Sequence, residues 1–399
     1  MLAIALLLAQ QAVTLTAGDR MELRARKTFG APMGFDAVTA PSLGLRVTSR
    51  RWDGGVSYAP LLVLRDLEQG TTPEVLHAGT IVTAWRARSA RVALSETGMY
   101  GDQNGTYLVS PPLSSDGRPQ PLQLLGPPRT IHFASSVTTL TTELRFSRRW
   151  SMTASIVYGL SGGLTADART VIPLQRGPRA DVSVSYTPTQ LDTFTTHASV
   201  SKADFTAGPC PGGAVVPNTA AGTCSPQIEI GTVSEAWRRS LSRTSEITFG
   251  AGASVVRTRL HPRDRYALLK YPTFEVTYQQ ATGAEGQRST ARVSAEVAPV
   301  VDARLGAADY RAQGGVAMTI PRGRVTVRPQ VAVARSLDSS ALPPVTLLRG
   351  EVEVEYAPTR YLSVGAGLRY GWQKQAPLGA LSTVIGLVQV TLRAPTYRF

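Results

Sequence analysis

The sequence predicts an all-β fold: a closed antiparallel transmembrane β-barrel of about 18 strands, with 16 as the alternative count. Three observations predict it. Apolar residues alternate with small or polar ones in segment after segment. Short turns and longer loops take turns as the connections. Aromatic residues gather at strand ends, as Tyr158, Tyr186, Tyr356, Tyr370 and Trp372 do.

The alternation is clearest in "EVEVEYAPTRYLSVGAGLRYGW". Val352, Val354 and Tyr356 interleave with Glu351, Glu353 and Glu355. After the turn, Leu362, Val364, Ala366, Leu368, Tyr370 and Trp372 interleave with Ser363, Gly365, Gly367 and Arg369. Side chains two apart share one strand face, so each strand has an apolar face and a polar one. A soluble sandwich carries this pattern as well. Small Gly, Ser and Ala where a protein core wants Leu or Phe favour the membrane, as does a strand count beyond what open sheets tolerate. Lipid then forces closure, because an unpaired sheet edge cannot be hydrated there.

Eight hairpins follow in order. Their turns are "RWDG", "RSAR", "SRRW", "PTQLD", "RRSLSR", "ATGAEG", "PRGR" and "APTR". A strand at "RMELRARKTF" precedes them and "LSTVIGLVQVTLR" closes the chain, which gives the even count and puts both termini on the short-turn side. Short periplasmic turns with longer extracellular loops are the barrel habit. The Pro-rich stretch around Gly101–Arg129 is the longest loop. Pro329 inside a good strand is a counter-signal, since proline removes a ladder donor.

The chain has 399 residues, of which 43% are hydrophobic and 18% charged. No apolar run reaches the roughly 18 residues of a membrane helix. "MLAIALLLA" instead suits the apolar region of a secretory leader, so residues 1–17 read as a signal peptide and 18–399 as one barrel domain. The net charge of +14 comes with 38 Arg and only 4 Lys. These Arg do not cluster on one helix or tail, which argues against nucleic acid as a partner. Many fall at strand ends, where Arg50, Arg51, Arg148, Arg149, Arg238 and Arg239 make basic periplasmic turns beside anionic head groups. The two cysteines, Cys210 and Cys224, share a Gly/Pro-rich loop and form a disulfide in an oxidising compartment.

The polar faces nominate a mixed-charge lumen: Glu143, Arg145, Glu275, Arg292, Glu296, Arg328, Glu351, Glu353, Glu355 and Arg369. Arg324 and Arg328 on the preceding strand and Arg369 on the next are the expected counter-charges for the three glutamates. Catalysis is not expected. The histidines His77, His132, His197 and His261 lack metal-ligand spacing, and neither G-x-S-x-G nor a P-loop occurs. His197, among hydroxyls in "TFTTHASVS", reads as a polar strand residue. No cofactor or metal is called for.

The terminal "TYRF" resembles that of bacterial outer-membrane β-barrels, whose last strand commonly ends in Phe and signals to the barrel-assembly machinery. Tyr397 and Phe399 match that pattern. Further back the phase slips, since Val388, Val390 and Leu392 lie in the other register. One bulge near Ala394–Pro395 would restore the face. The N-terminal third, through its "SRRW" turn, "YAPLLVLRD", "VLHAG" and "WRAR", is similar to the roughly 18-stranded barrels that partner periplasmic polysaccharide-export lipoproteins. That resemblance implies a channel in outer-membrane lipid carrying a polysaccharide. The alternatives are a general diffusion porin, or a structural or adhesive barrel with a plugged lumen.

Overall fold

A computed structural model describes the chain apart from residues 1–11, 29, 31, 66, 68–72, 105–129, 207, 210–222, 261–263, 284–286, 303–306, 339–343, 376–378 and 399. The strands are β1 (Ala12–Thr28), β2 (Met33–Thr39), β3 (Ser42–Thr48), β4 (Trp52–Tyr58), β5 (Leu61–Leu64), β6 (Glu74–Arg86), β7 (Ala90–Asn104), β8 (Thr130–Arg145) and β9 (Trp150–Gly163). After the short helix α1 (Ala166–Val171) come β10 (Gln175–Tyr186), β11 (Asp192–Phe205), β12 (Gly208–Pro209), β13 (Thr223–Cys224), β14 (Gln227–Ser240), β15 (Ser245–Arg259) and β16 (Ala267–Thr282). The last are β17 (Ser289–Asp302), β18 (Ala307–Arg322), β19 (Val325–Ser336), β20 (Val345–Tyr356), β21 (Leu362–Gln375), β22 (Gly379–Arg393) and β23 (Tyr397–Arg398).

Each long strand pairs antiparallel with its neighbours in sequence, and β22 pairs with β1 from Gly18↔Arg393 to Thr28↔Thr383. That pairing closes an 18-strand barrel. Two staves are bent. Pro41 separates β2 from β3, and Pro60 separates β4 from β5. Each proline lacks a ladder donor, yet the neighbouring amides of Ala40 and Ala59 keep their bonds, to Arg20 O and Ala78 O at 2.8 Å each. With 18 strands spaced ~4.8 Å and tilted ~40°, opposite backbones stand about 35 Å apart. Barrels of this size hold water.

The register fixes one face all round. Val388 lies opposite Leu23, Leu45 opposite Val56, Val56 opposite Ile81 and Tyr158 beside Thr138. The same face continues through Val182, Ala198, Val233 and Ala253. It returns by Phe274, Val297, Val316, Val331, Val352 and Leu368. This outer face is exposed: Leu23 is 62% accessible while its inward neighbour Glu22 is 3%. Water-soluble folding would reverse those two numbers. Trp52, Trp85, Trp150, Tyr186, Trp237 and Tyr356 collar the short-turn rim of this face. Trp150 stacks on Tyr186 with centroids 4.6 Å apart. Tyr58, Tyr100, Tyr158 and Tyr370 stand toward the other rim. Amphipathic rings at both edges of an apolar band are the mark of two lipid–water interfaces. No helix among the described residues is long and apolar enough to cross a membrane.

Pro329 proves compatible with its strand. The β18–β19 ladder lapses between Ala317↔Gln330 and Ile320↔Val327, which is where the missing N–H falls, while β19–β20 stays paired through Pro329↔Val352. Gly323 turns the "PRGR" hairpin at φ +61, a conformation that disfavours a Cβ. At the C-terminus, Gly18↔Arg393 is followed by Leu15↔Tyr397. Three steps along β1 thus face four along the terminal strand, a one-residue bulge that puts Tyr397 back opposite outward Leu15. Phe399 lies outside the described residues. So do residues 1–11, and β1 already takes in Ala12–Ala17, the end of the segment read as a leader. β7 runs on to Asn104, so the long loop starts later than Gly101, and its remainder is not described.

Candidate channel lumen

The alternate side chains of every stave point inward, and all ten nominated lumen residues lie on that parity. On β20, Glu351, Glu353 and Glu355 form a ladder of acids two residues apart. Arg369 Nε donates to Glu351 at 2.7 Å. Arg328 reaches Glu355 at 2.8 Å and Glu353 at 3.6 Å, and Arg393 lies 3.7 Å from Glu355. Gln330 and Gln389 donate to Glu351 and Glu353 at 2.6 and 2.7 Å. Arg324 is not placed in this network; it sits in the turn, where its carbonyl accepts the Ala357 amide. Gly365 and Gly367 lie across from Glu355 and Glu353. A Cβ on Gly365 would come within 2.9 Å of the Gln389 side chain, so glycine here makes room for the polar ladder.

Elsewhere the same wall carries Arg91–Glu143 at 2.9 Å, with Arg145 one inward step beyond Glu143. Arg46 and Arg86 hold Asp53 at 2.6 and 3.4 Å. Glu275 stands directly opposite Glu296, with Gln313 donating to Glu296 at 3.1 Å and Arg292 four residues along the same strand face. His197 is inward too, 3.4 Å from Asp181, which Arg179 also grips. No set of three or more His, Cys, Asp or Glu poised to hold a metal occurs among the described residues. His261 lies outside them.

From β8 to β15 the inner wall changes character and becomes largely hydroxyl. Thr139, Thr141, Thr153, Ser183, Thr195 and Ser254 are examples. Ser185 bonds Thr195 at 2.9 Å and Thr232 bonds Ser254 at 2.7 Å. One sector is thus rich in hydroxyls, with Glu143, Arg145 and the Arg179–Asp181–His197 group among its charges, while that of β19–β22 carries a dense ladder of both signs.

Toward the long-loop rim of β8, β11, β14 and β15 several inward residues become apolar and buried, which the alternation rule missed. Ile131 and Phe133, on the inner parity of β8, pack with Leu76 against Ala168 and Val171 of α1. Thr165 caps α1 by accepting the Ala168 amide at 3.1 Å, and Arg169 donates to Leu164 O at 3.0 Å. Phe205, Ile228, Ile230 and Val256 form a second such cluster. The available signal was an inversion: in "TIHFAS" the apolar residues sit on the phase that is polar further down the strand. These two clusters pack parts of the inner wall at the outer rim, while the acidic ladder below stays partly exposed.

The basic turns are placed less uniformly than expected. Arg50 and Arg51, and Arg148 and Arg149, occupy exposed turns. Arg238 and Arg239 belong instead to the end of β14, because that strand runs on to Ser240. There Arg239 faces outward over the Trp237 ring at 5.9 Å and lies 3.7 Å from Asp192. Cys224 is buried in the β12–β13 ribbon; Cys210, and with it the expected disulfide, lies outside the described residues.

The sequence model of the EpsX exopolysaccharide export family matches residues 6–388, almost the whole barrel. The chain belongs to the EpsX family. As an EpsX-family barrel it is an outer-membrane channel of a Gram-negative bacterium, so its short turns face the periplasm. Among solved structures it is similar in fold to Pseudomonas aeruginosa OccK3 (OpdO), at 9% identity, TM-score 0.48 and 97% coverage of both chains. It is similar also to Pseudomonas aeruginosa OccK2 (OpdF), at 10% identity, TM-score 0.48 and coverage of 97% and 99%. The FrpB iron transporter of Neisseria meningitidis gives 10% identity, TM-score 0.48 and coverage of 90% of this chain and 62% of its own. No curated protein sequence matches.

The glutamate ladder predicts ion preference. Glu351→Gln, Glu353→Gln and Glu355→Gln together leave Arg328, Arg369 and Arg393 uncompensated on one wall. Reversal potentials across a KCl gradient in planar bilayers should move toward anion selectivity. An unchanged reversal potential would remove this wall from the conduction path.

Proposed function

We propose that this EpsX-family barrel exports a polysaccharide, received from a periplasmic partner and passed through the lumen without covalent chemistry. The observation that carries the reading is the division of the lumen. A hydroxylated sector on β8–β15 offers weak, exchangeable hydrogen bonds to sugar hydroxyls, and a mixed-charge sector faces water. Many shallow, equivalent sites let a polymer bind and still slide, as conduction requires. The family's description supports the same cargo. The docking partner, a periplasmic export lipoprotein, would meet the exposed Arg50, Arg51, Arg148 and Arg149 turns. The Tyr397 end of the chain would engage the barrel-assembly machinery.

Deleting the gene should abolish surface polysaccharide staining, with restoration by the native chain. Normal staining in the deletion strain would return the protein to the diffusion-porin reading. Arg148→Glu with Arg149→Glu should lower co-purification of the lipoprotein while leaving barrel assembly intact; unchanged co-purification removes these turns from the docking surface. The packing of α1 against Leu76, Ile131 and Phe133 favours a second reading, a lumen closed at rest. Single-channel recording separates the two, since a closed barrel conducts only once α1 is loosened, for example by Phe133→Ala.

A further inference from the structure

Glu96 lies on the wrong side of its strand. It belongs to the outer face of β7, between outward Leu94 and Gly98, and it is exposed. Its neighbours across the ladders are Ile81 and Thr138, both outward. Four residues separate it from Val92, opposite rim Trp85, and four from Tyr100 at the other collar. The carboxyl therefore stands near the middle of the lipid band, where a charge is costly. Other outward acids are better served: Asp19 accepts a 2.9 Å bond from Thr39, and Glu235 stands two residues from rim Trp237. Glu96 has the Ser136 hydroxyl at 3.4 Å.

Beside it the wall is hollowed. Gly79 and Gly98 face each other across β6 and β7, with Ser136 next in the row. Neither glycine is demanded from within. A Cβ on Gly98 would meet nothing nearer than Ser135 O at 3.9 Å, and one on Gly79 nothing nearer than Ser57 O at 3.5 Å. Two outward glycines and a serine thus leave a shallow window in the outer wall. Its hydrogen-bonding groups are self-complementary, with the acid on β7 and the hydroxyls of Ser136 and Thr138 on β8.

We propose that this face is the contact between two copies of the chain, related by a two-fold axis along the membrane normal near the β7–β8 seam. In that arrangement the Glu96 of each copy meets the Ser136 and Thr138 hydroxyls of the other, and the paired glycines let the two walls approach closely. The contact removes both carboxyls from lipid without needing an opposite charge.

The native chain reconstituted in lipid nanodiscs should give a dimer mass by native mass spectrometry. Glu96→Leu or Gly98→Leu should weaken dimerisation by about tenfold or more. Thr138→Cys should give a covalently linked dimer when intact outer membranes are treated with a short bis-maleimide cross-linker, which spans the one-strand offset between the two Thr138 positions. The native chain and Val200→Cys, on a distant stave, serve as controls. A monomeric native chain in bilayers, or a membrane-inserted Thr138→Cys chain that does not cross-link above those controls, would overturn the proposal. The cysteine variant does not depend on the leucine variants folding.

Discussion

Replacing Arg311 with leucine should destabilise the barrel by about 3–5 kcal/mol, the usual cost of stripping one partner from a buried ion cluster. Arg311 is 1% exposed on the inner face of β18 near the outer rim. Its Nη2 lies 2.7 Å from Asp302 on β17 and its Nε 2.5 Å from Asp309 on its own strand. Ser336 donates to Asp309 at 2.7 Å, and the Val345 amide donates to Ser336 at 3.0 Å. The cluster ties four consecutive staves together where they emerge from lipid. With the guanidinium gone, two dehydrated carboxylates would face each other. Urea titration of barrels folded into lipid vesicles measures the loss. Neutralising all three groups, with Asp302→Asn, Asp309→Asn and Arg311→Leu, should recover most of it, because no buried charge is then left alone. A loss under about 1 kcal/mol for Arg311→Leu alone would mean that water reaches the cluster.

The second large effect tests which solvent wets which face. Val388→Arg should cost about 2–4 kcal/mol, while Gln389→Arg, one residue on, should cost close to nothing. Val388 is outward and 53% exposed, between Leu23 and Ala366. Gln389 is inward and donates to Glu353 at 2.7 Å, so an arginine there meets an acid and water. The same vesicle titration compares the two. Equal costs would contradict the inside–outside assignment on which the channel reading rests.

Much of the fold was legible because lipid imposes a simple rule on one face of every strand. Each hairpin of "EVEVEYAPTRYLSVGAGLRYGW" type declares two faces without reference to any partner strand. The eight short turns, the even strand number and the terminal bulge follow from that rule and from turn chemistry. The inward parity of Glu351, Glu353, Glu355 and Arg369 was equally readable, since spacing alone sets it. Arg238 and Arg239 were misplaced because polar residues at a strand end look like turn residues; only the pairing of Arg239 with Ile247 shows the ladder continuing.

Tertiary structure decided what spacing does not encode. Ile131, Phe133 and Ile228 are apolar residues on the inward phase, and nothing local says what they touch. Their surroundings are made by α1 and by staves far away in sequence, so their burial is a property of closure. Glu96 shows the converse, a charge on the lipid phase whose meaning depends on which residues the ladders bring beside it. The sequence by itself determined that every strand has a lipid side and a water side, because alternation is a covalent fact of an extended chain. Which inward side chains meet as ion pairs, which pack together at the outer rim, and which polar groups share an outward patch were decided only by the barrel's register. Register is a relation between strands, and no single strand carries it.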